Sequence, residues 1–164
     1  MNRYHLAIAC LLGAPLPALA HPSLAEPHHA AAAPSAAGRS GDPAQVTRTV
    51  SIGMADSMRF APAALQVKQG ETIRIVARND GQVLHEIVLG SAADIARHRA
   101  AMQRDPGMAH GAPYMAHVAP GASADIVWKF DRAGEFEYAC LLPGHYEAGM
   151  RGAVTVDAPA APRR

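Results

Sequence analysis

FEYACLLPGHYEAGMRGAVTV, residues 136–156, joins two short alternating stretches through a loop that carries a thiol, an imidazole and a thioether. In the first stretch Phe136, Tyr138 and Cys140 share one face, while Glu137 and Ala139 share the other, the two-residue period of a half-buried strand. Cys140 therefore points inward at the end of a buried face. The chain then turns through Pro143 and Gly144, presents His145, passes through "EAG" and reaches Met150 before "GAVTV" resumes strand character. Far upstream, "VLHEIVL" puts His85 on one face with Val83, Ile87 and Leu89, so a second imidazole also points toward the core.

The surrounding pattern is consistent with this reading. "RTVSIG", "ALQVKQ", "TIRIVARN", "VLHEIVLG", "DIVWKF", "EFEYAC" and "GAVTV" read as strands, and "KQGE", "NDGQ" and "RAGE" read as turns between them. Seven short strands punctuated in this way predict an all-β Greek-key sandwich of two sheets. One helical insertion interrupts it: "SAADIARHRAAMQR" (91–104) is alanine-rich, with Ser91 as cap and Asp94 three residues later. "DPGMAHGAPYMAHVAPG" follows and reads as a loop.

The ends read differently. Residues 1–20 have a charged start at Arg3, the apolar run "LAIACLLGAPLPA" and "ALA" before His21, which predicts a secretory signal peptide. A lipoprotein acylated at Cys10 is the rival reading, against which "AIAC" leaves few apolar residues ahead of the cysteine. Residues 21–45, rich in Ala, Pro, Ser and Gly, are expected to be a flexible leader; 46–157 form the folded domain, and 158–164 a disordered tail. Loss of the signal removes Arg3 and one of the two cysteines, leaving 14 basic residues against 14 acidic ones. That balance offers no basic field for nucleic acid or an anionic membrane, and no second apolar run is long enough to span a bilayer. Cys140 is then a lone thiol in an oxidising compartment, where it needs burial or a bound ion to survive.

A thiolate, two imidazoles in a plane and a weak thioether along the axis make the ligand set of a mononuclear electron-transfer copper site. Zinc rarely recruits a thioether. Taken singly, each residue has a plainer reading: Cys140 as a small buried apolar residue, His85 as a satisfied core histidine, Met150 as core filler. The set of four at this spacing favours copper.

"NDGQVLHEIVLG" and "FEYACLLPGHYEAGMRGAVTV" resemble the cupredoxins, the type 1 copper family, across residues 46–157. The Cys-x4-His-x4-Met loop after a distant histidine is similar to that of rusticyanin-like members. The resemblance implies one copper per chain, alternating between Cu(I) and Cu(II), with His85, Cys140 and His145 as equatorial ligands and Met150 as the axial one. "MADSMRFAP", "RHRAAMQRDPGMAH" and "WKF" look like a bacterial periplasmic subgroup associated with copper tolerance. The implied role is copper tolerance or homeostasis in the periplasm, in exchange with a redox or copper-transfer protein; the alternative is a general one-electron carrier. An enzyme is not expected, because there is one sandwich, no His-x-His pair and no second cysteine near Cys140. Many cupredoxins follow the first histidine with Asn or Ser, whereas this chain has Glu86, which is expected to alter the surroundings of the thiolate.

The insertion carries a further set. His98 and Met102 share a helix face, and Met108, His110, Met115 and His117 follow. These suit a second copper site or a docking surface for copper transfer, against a plain amphipathic helix that packs Ile95 and Met102 onto the sandwich. Met54 and Met58 fall on one face if their strand continues, most simply as core. His21, His28 and His29 lie in the leader, where they read as surface histidines able to capture copper only weakly.

Overall fold

In this computed structural model the chain is described over residues 35–160, except 106 and 109. The signal peptide, Cys10, the leader histidines and the last residues of the tail lie outside the described residues. Two five-stranded sheets face each other. One has the order β1 (Arg39–Ser40), β8 (Ser123–Lys129), β5 (Thr72–Asn79), β2 (Arg48–Ala55), β3 (Arg59–Ala61). The other runs β4 (Ala64–Lys68), β10 (Arg151–Asp157), β9 (Gly134–Ala139), β6 (His85–Gly90), β7 (Met115–Val118). β2 lies parallel to β5 and β4 parallel to β10, while the other pairs are antiparallel. This is the expected all-β Greek-key sandwich, with the short helix α1 (Ala92–Arg104) inserted between β6 and β7.

The alternation read from the sequence decides which side chains enter the core. Ile73, Ile75 and Ala77 of β5 meet Ile126 and Trp128 of β8, and across the gap lie Ile87, Leu89, Tyr138, Val154 and Val156. Each aliphatic side chain buried to this extent contributes about 1.5–3 kcal/mol. Tyr138 shows how tightly the second sheet is packed: its ring lies over Gly152, its register partner, and its hydroxyl donates to the Pro62 carbonyl at 2.6 Å. A Cβ on Gly152 would overlap that ring, so only glycine fits there.

Three expectations are corrected. The leader does not run flexibly to Gln45: the Ser35 hydroxyl donates to Leu89 O at 3.1 Å, Ala37 is fully buried, and Arg39–Ser40 pair with Lys129 and Trp128. A two-residue strand and a single small buried side chain have no periodicity to read, so composition alone dominated. The strand of Met54 ends at Ala55, and Met58 sits in the following turn at φ 58°, so the two methionines do not share a strand face; Met54 is core and Met58 packs against its edge. Finally, the segment after α1 is not all loop. Met115–Val118 form β7 on the edge of β6, which sets His117 opposite Glu86.

Helix α1 starts where its cap signal predicted. The Ser91 hydroxyl accepts the Asp94 N–H, and the Asp94 carboxylate accepts the Ser91 N–H, which closes a capping box. The same carboxylate takes the Ala36 N–H at 2.8 Å and ties that segment to the helix. Ile95 and Met102 are buried beneath α1, with Val88, Ala139 and Leu141 below Ile95.

Candidate metal centre

Antiparallel pairing of β6 with β9 places Leu89 opposite Tyr138 and Val88 opposite Ala139. Continued two residues further, that register brings the start of β6 against the end of β9. His85 opens β6 and Cys140 follows the last residue of β9. The Glu86 N–H donates to Cys140 Sγ at 3.3 Å, so the backbone of one strand grips the sulfur of the next.

The loop between Cys140 and Met150 is a chain of tight turns. His145 N–H bonds Leu142 O, Ala148 N–H bonds Gly144 O, and Met150 N–H bonds His145 O. Cys140 N–H then bonds Met150 O at 3.1 Å and closes the base of the loop. Gly149 takes φ 100°, a left-handed conformation with the Arg59 guanidinium packed against it, which a side chain would meet with strain. Arg59 Nη1 donates to Ala148 O at 2.6 Å and holds the loop from outside.

His85, Cys140 and His145 each offer a donor atom, and these atoms lie within 4.8 Å of one another. Cys140 Sγ is 3.3 Å from His145 Nδ1, and the two imidazole rings are 5.2 Å apart at 62°. Met150, fully buried in the same core cluster, is brought to the cysteine by the backbone bonds just described. The structure therefore gathers the donor atoms of His85, Cys140 and His145, and brings the backbone of Met150 beside Cys140.

Two observations test whether a metal fits. His85 is completely buried, yet its Nδ1 has no hydrogen-bond partner, an arrangement that costs free energy unless something binds there. Its other nitrogen, Nε2, lies 3.3 Å from Asp56 Oδ1, which fixes the ring as carboxylates fix metal-binding histidines. Asp56 is itself held below the usual carboxylate range, chiefly by the Gln82 N–H, which outweighs its partial desolvation. Burial pushes the Cys140 thiol up to about 11, against the pull of the Glu86 and Leu142 N–H groups. The metal-free sulfur is thus a protected thiol, and a cation would convert it to thiolate. Burial first, and then the neighbouring His85, hold His145 below its usual value, which favours the neutral imidazole that a metal needs. The donor set fits copper.

Sequence reasoning missed three features here. Asp56 stands in the turn after β2, where an acidic residue reads as an ordinary turn former. Leu141, directly after the cysteine, is buried with Val88, Ile95 and Met115, and its N–H donates to Glu86 Oε2 at 3.1 Å. Glu86 is fully buried rather than merely adjacent to the thiolate, and its carboxylate meets the insertion. Of the insertion residues, His98, His110 and His117 approach Glu86 Oε1, Met102 Sδ touches His110 Nε2, and Met115 enters the core.

A sandwich of this topology with a Cys, two His and a Met at one end defines a class of single-domain copper proteins. The model of the copper-binding proteins of the plastocyanin/azurin family matches residues 46–157, and the chain belongs to that family. It is 51% identical over 128 residues to the copper-resistant cuproprotein CopI of Rubrivivax gelatinosus, covering 78% of each chain. To the copper-resistant cuproprotein CopI of Pseudomonas aeruginosa it is 37% identical over 148 residues, covering 73% of this chain and 81% of that one. Among solved structures, auracyanin B superposes with a TM-score of 0.62 at 25% identity, over 77% of this chain and 99% of that one.

Proposed function

We propose that this chain is a copper-binding cupredoxin of bacterial copper tolerance, exported to the periplasm by residues 1–20, with one copper held by His85, Cys140, His145 and Met150. The observation that carries this reading is the convergence of donor atoms from His85, Cys140 and His145, together with the partnerless Nδ1 of the fully buried His85. Copper, when bound, supplies a one-electron change between Cu(I) and Cu(II). The protein's part is to hold the donors in one arrangement for both states: Asp56 orients His85, the Glu86 N–H supports the sulfur, and the Cys140–Met150 backbone bond fixes the loop. The copper-resistance relatives support the physiological role. Among the described residues no helix is long and apolar enough to cross a membrane.

Restoring copper tolerance to cells that lack the protein tests this directly. The intact chain is expected to restore growth on copper, and His145→Ala, exported in equal amount, is expected to fail. Equal restoration by both would overturn the reading.

A second reading, a general one-electron carrier, draws on a different observation. Val83 and Leu84, just ahead of His85, are large apolar side chains left 43% and 40% exposed, and His145 is only partly buried. Such a patch suits transient docking to a redox partner. Fast electron exchange with a periplasmic cytochrome, slowed at least tenfold by Val83→Asp with Leu84→Asp, supports the carrier; slow exchange unaffected by that change excludes it.

A further inference from the structure

Glu86 presents a problem that the first site does not solve. Its carboxylate is fully buried, Oε2 accepts the Leu141 N–H, and Oε1 has no hydrogen-bond partner. Among the described residues three imidazoles approach Oε1: His98 Nε2 at 3.5 Å, His110 Nε2 at 3.5 Å and His117 Nε2 at 3.3 Å. The His98 Nε2 is likewise buried without a partner. Four separate elements deliver these groups: β6, α1, the segment after it, and β7.

The distances discriminate between an ion pair and a ligand cage. A charge-assisted N–H···O bond closes to about 2.7–2.9 Å. Donor atoms around a four-coordinate ion with bonds of about 2.0–2.1 Å stand roughly 3.3 Å apart. The observed separations from Oε1 are longer than such a bond and close to the spacing of a cage, and the donor atoms of Glu86, His98 and His110 all lie within 4.8 Å of one another. The rings of His110 and His117 stack with centroids 3.9 Å apart, so these imidazoles present their nitrogens to Oε1 side by side. A divalent cation held there would compensate the buried carboxylate.

We propose that Glu86, His98 and His110, with His117 at the open side, form a second metal site that takes Cu(II). Borderline imidazole nitrogens with one carboxylate oxygen suit a divalent first-row ion, and copper stands highest for such donors. The set contains no thiolate, so this site holds Cu(II) without the sulfur-to-metal band of the first. Met102 Sδ, 2.8 Å from His110 Nε2, sits at its edge. The residues differ from a simple Met/His capture surface: the anchor is a buried glutamate on the strand, and Met115 takes no part.

The test is a Cu(II) titration of the full mature chain with His21, His28 and His29 replaced by Ala, followed by visible and electron paramagnetic resonance spectra. Two equivalents are expected, one with a charge-transfer band and one without. His98→Ala with His110→Ala should weaken the bandless equivalent on the order of a hundredfold or more and leave the band intact; Cys140→Ser should abolish the band and leave the bandless equivalent. Pulsed resonance on the chain with its second site unmutated should show imidazole nitrogen couplings to the bandless ion, a readout independent of whether the double variant folds. A single equivalent, persistence of the second in the double variant, or absence of those couplings overturns the proposal. Failure of the Cys140 site would instead appear as loss of the band in the unmutated chain.

Discussion

His85 and Glu86 are neighbours in sequence, yet they serve opposite sides of β6. His85 turns into the sandwich toward a thiol and a second imidazole, and Glu86 turns outward beneath the helical insertion toward three imidazoles. The inner set is soft and enclosed by core side chains. The outer set is harder, with His117 left open to solvent. One strand thus separates two donor chemistries by nothing more than the alternation of its side chains. The backbone joins them, because the Glu86 N–H holds the Cys140 sulfur and the Glu86 carboxylate holds the next amide, Leu141.

That contrast can be broken one side at a time. The largest separation is expected from Glu86→Gln, which keeps the backbone N–H to sulfur and an oxygen for Leu141 but removes the buried charge. Outer Cu(II) affinity should fall about a hundredfold, comparable to losing a key supporting carboxylate, while the inner charge-transfer band persists. Isothermal titration beside the visible spectrum reads both, and equal loss on both sides would show that the two sites are one unit. Asp56→Asn should act on the other side only, weakening copper at the inner site by about tenfold as His85 loses its orienting carboxylate. The bandless equivalent should be unchanged.

The smallest effect concerns the helix that covers the outer side. Burial pushes the Asp94 carboxyl up, but the Ser91 and Ala36 N–H groups, the Ser91 hydroxyl and Arg97 together bring it below its ordinary value. A depressed folded value means that its stabilisation is present above the ordinary carboxylate range and disappears as pH falls through the lowered value. Asp94→Asn should therefore cost about 1 kcal/mol at neutral pH, as for other caps, with the difference from the unmutated chain vanishing in acid. Denaturant unfolding at several pH values measures it. A pH-independent difference would mean that the carboxylate charge plays no part.

The inner site was legible in the sequence because each candidate ligand obeys a local rule: strand parity for His85 and Cys140, a turn-rich loop for His145 and Met150. The helix was legible for the same reason, since Ser91 and Asp94 satisfy a capping box within four residues. The outer site was legible only in part. Its histidines stood out, but the strand that places His117, Met115–Val118, is four residues long and sits in a segment rich in Gly and Pro. Glu86 was noticed as a departure next to a ligand, although its parity already assigned it to the face opposite His85, where an inserted helix must pack. Ser35 to Ser40 were hidden by composition, because their order comes from hydrogen bonds to Leu89 O and Asp94 and not from periodic apolar residues.

The most direct test of the copper assignment is the visible spectrum of the folded chain loaded with Cu(II), recorded beside Cys140→Ser. The account predicts an intense sulfur-to-copper charge-transfer band at stoichiometric loading that disappears when the sulfur is replaced by oxygen. A loaded, folded chain without that band, or a band that survives in Cys140→Ser, would contradict it.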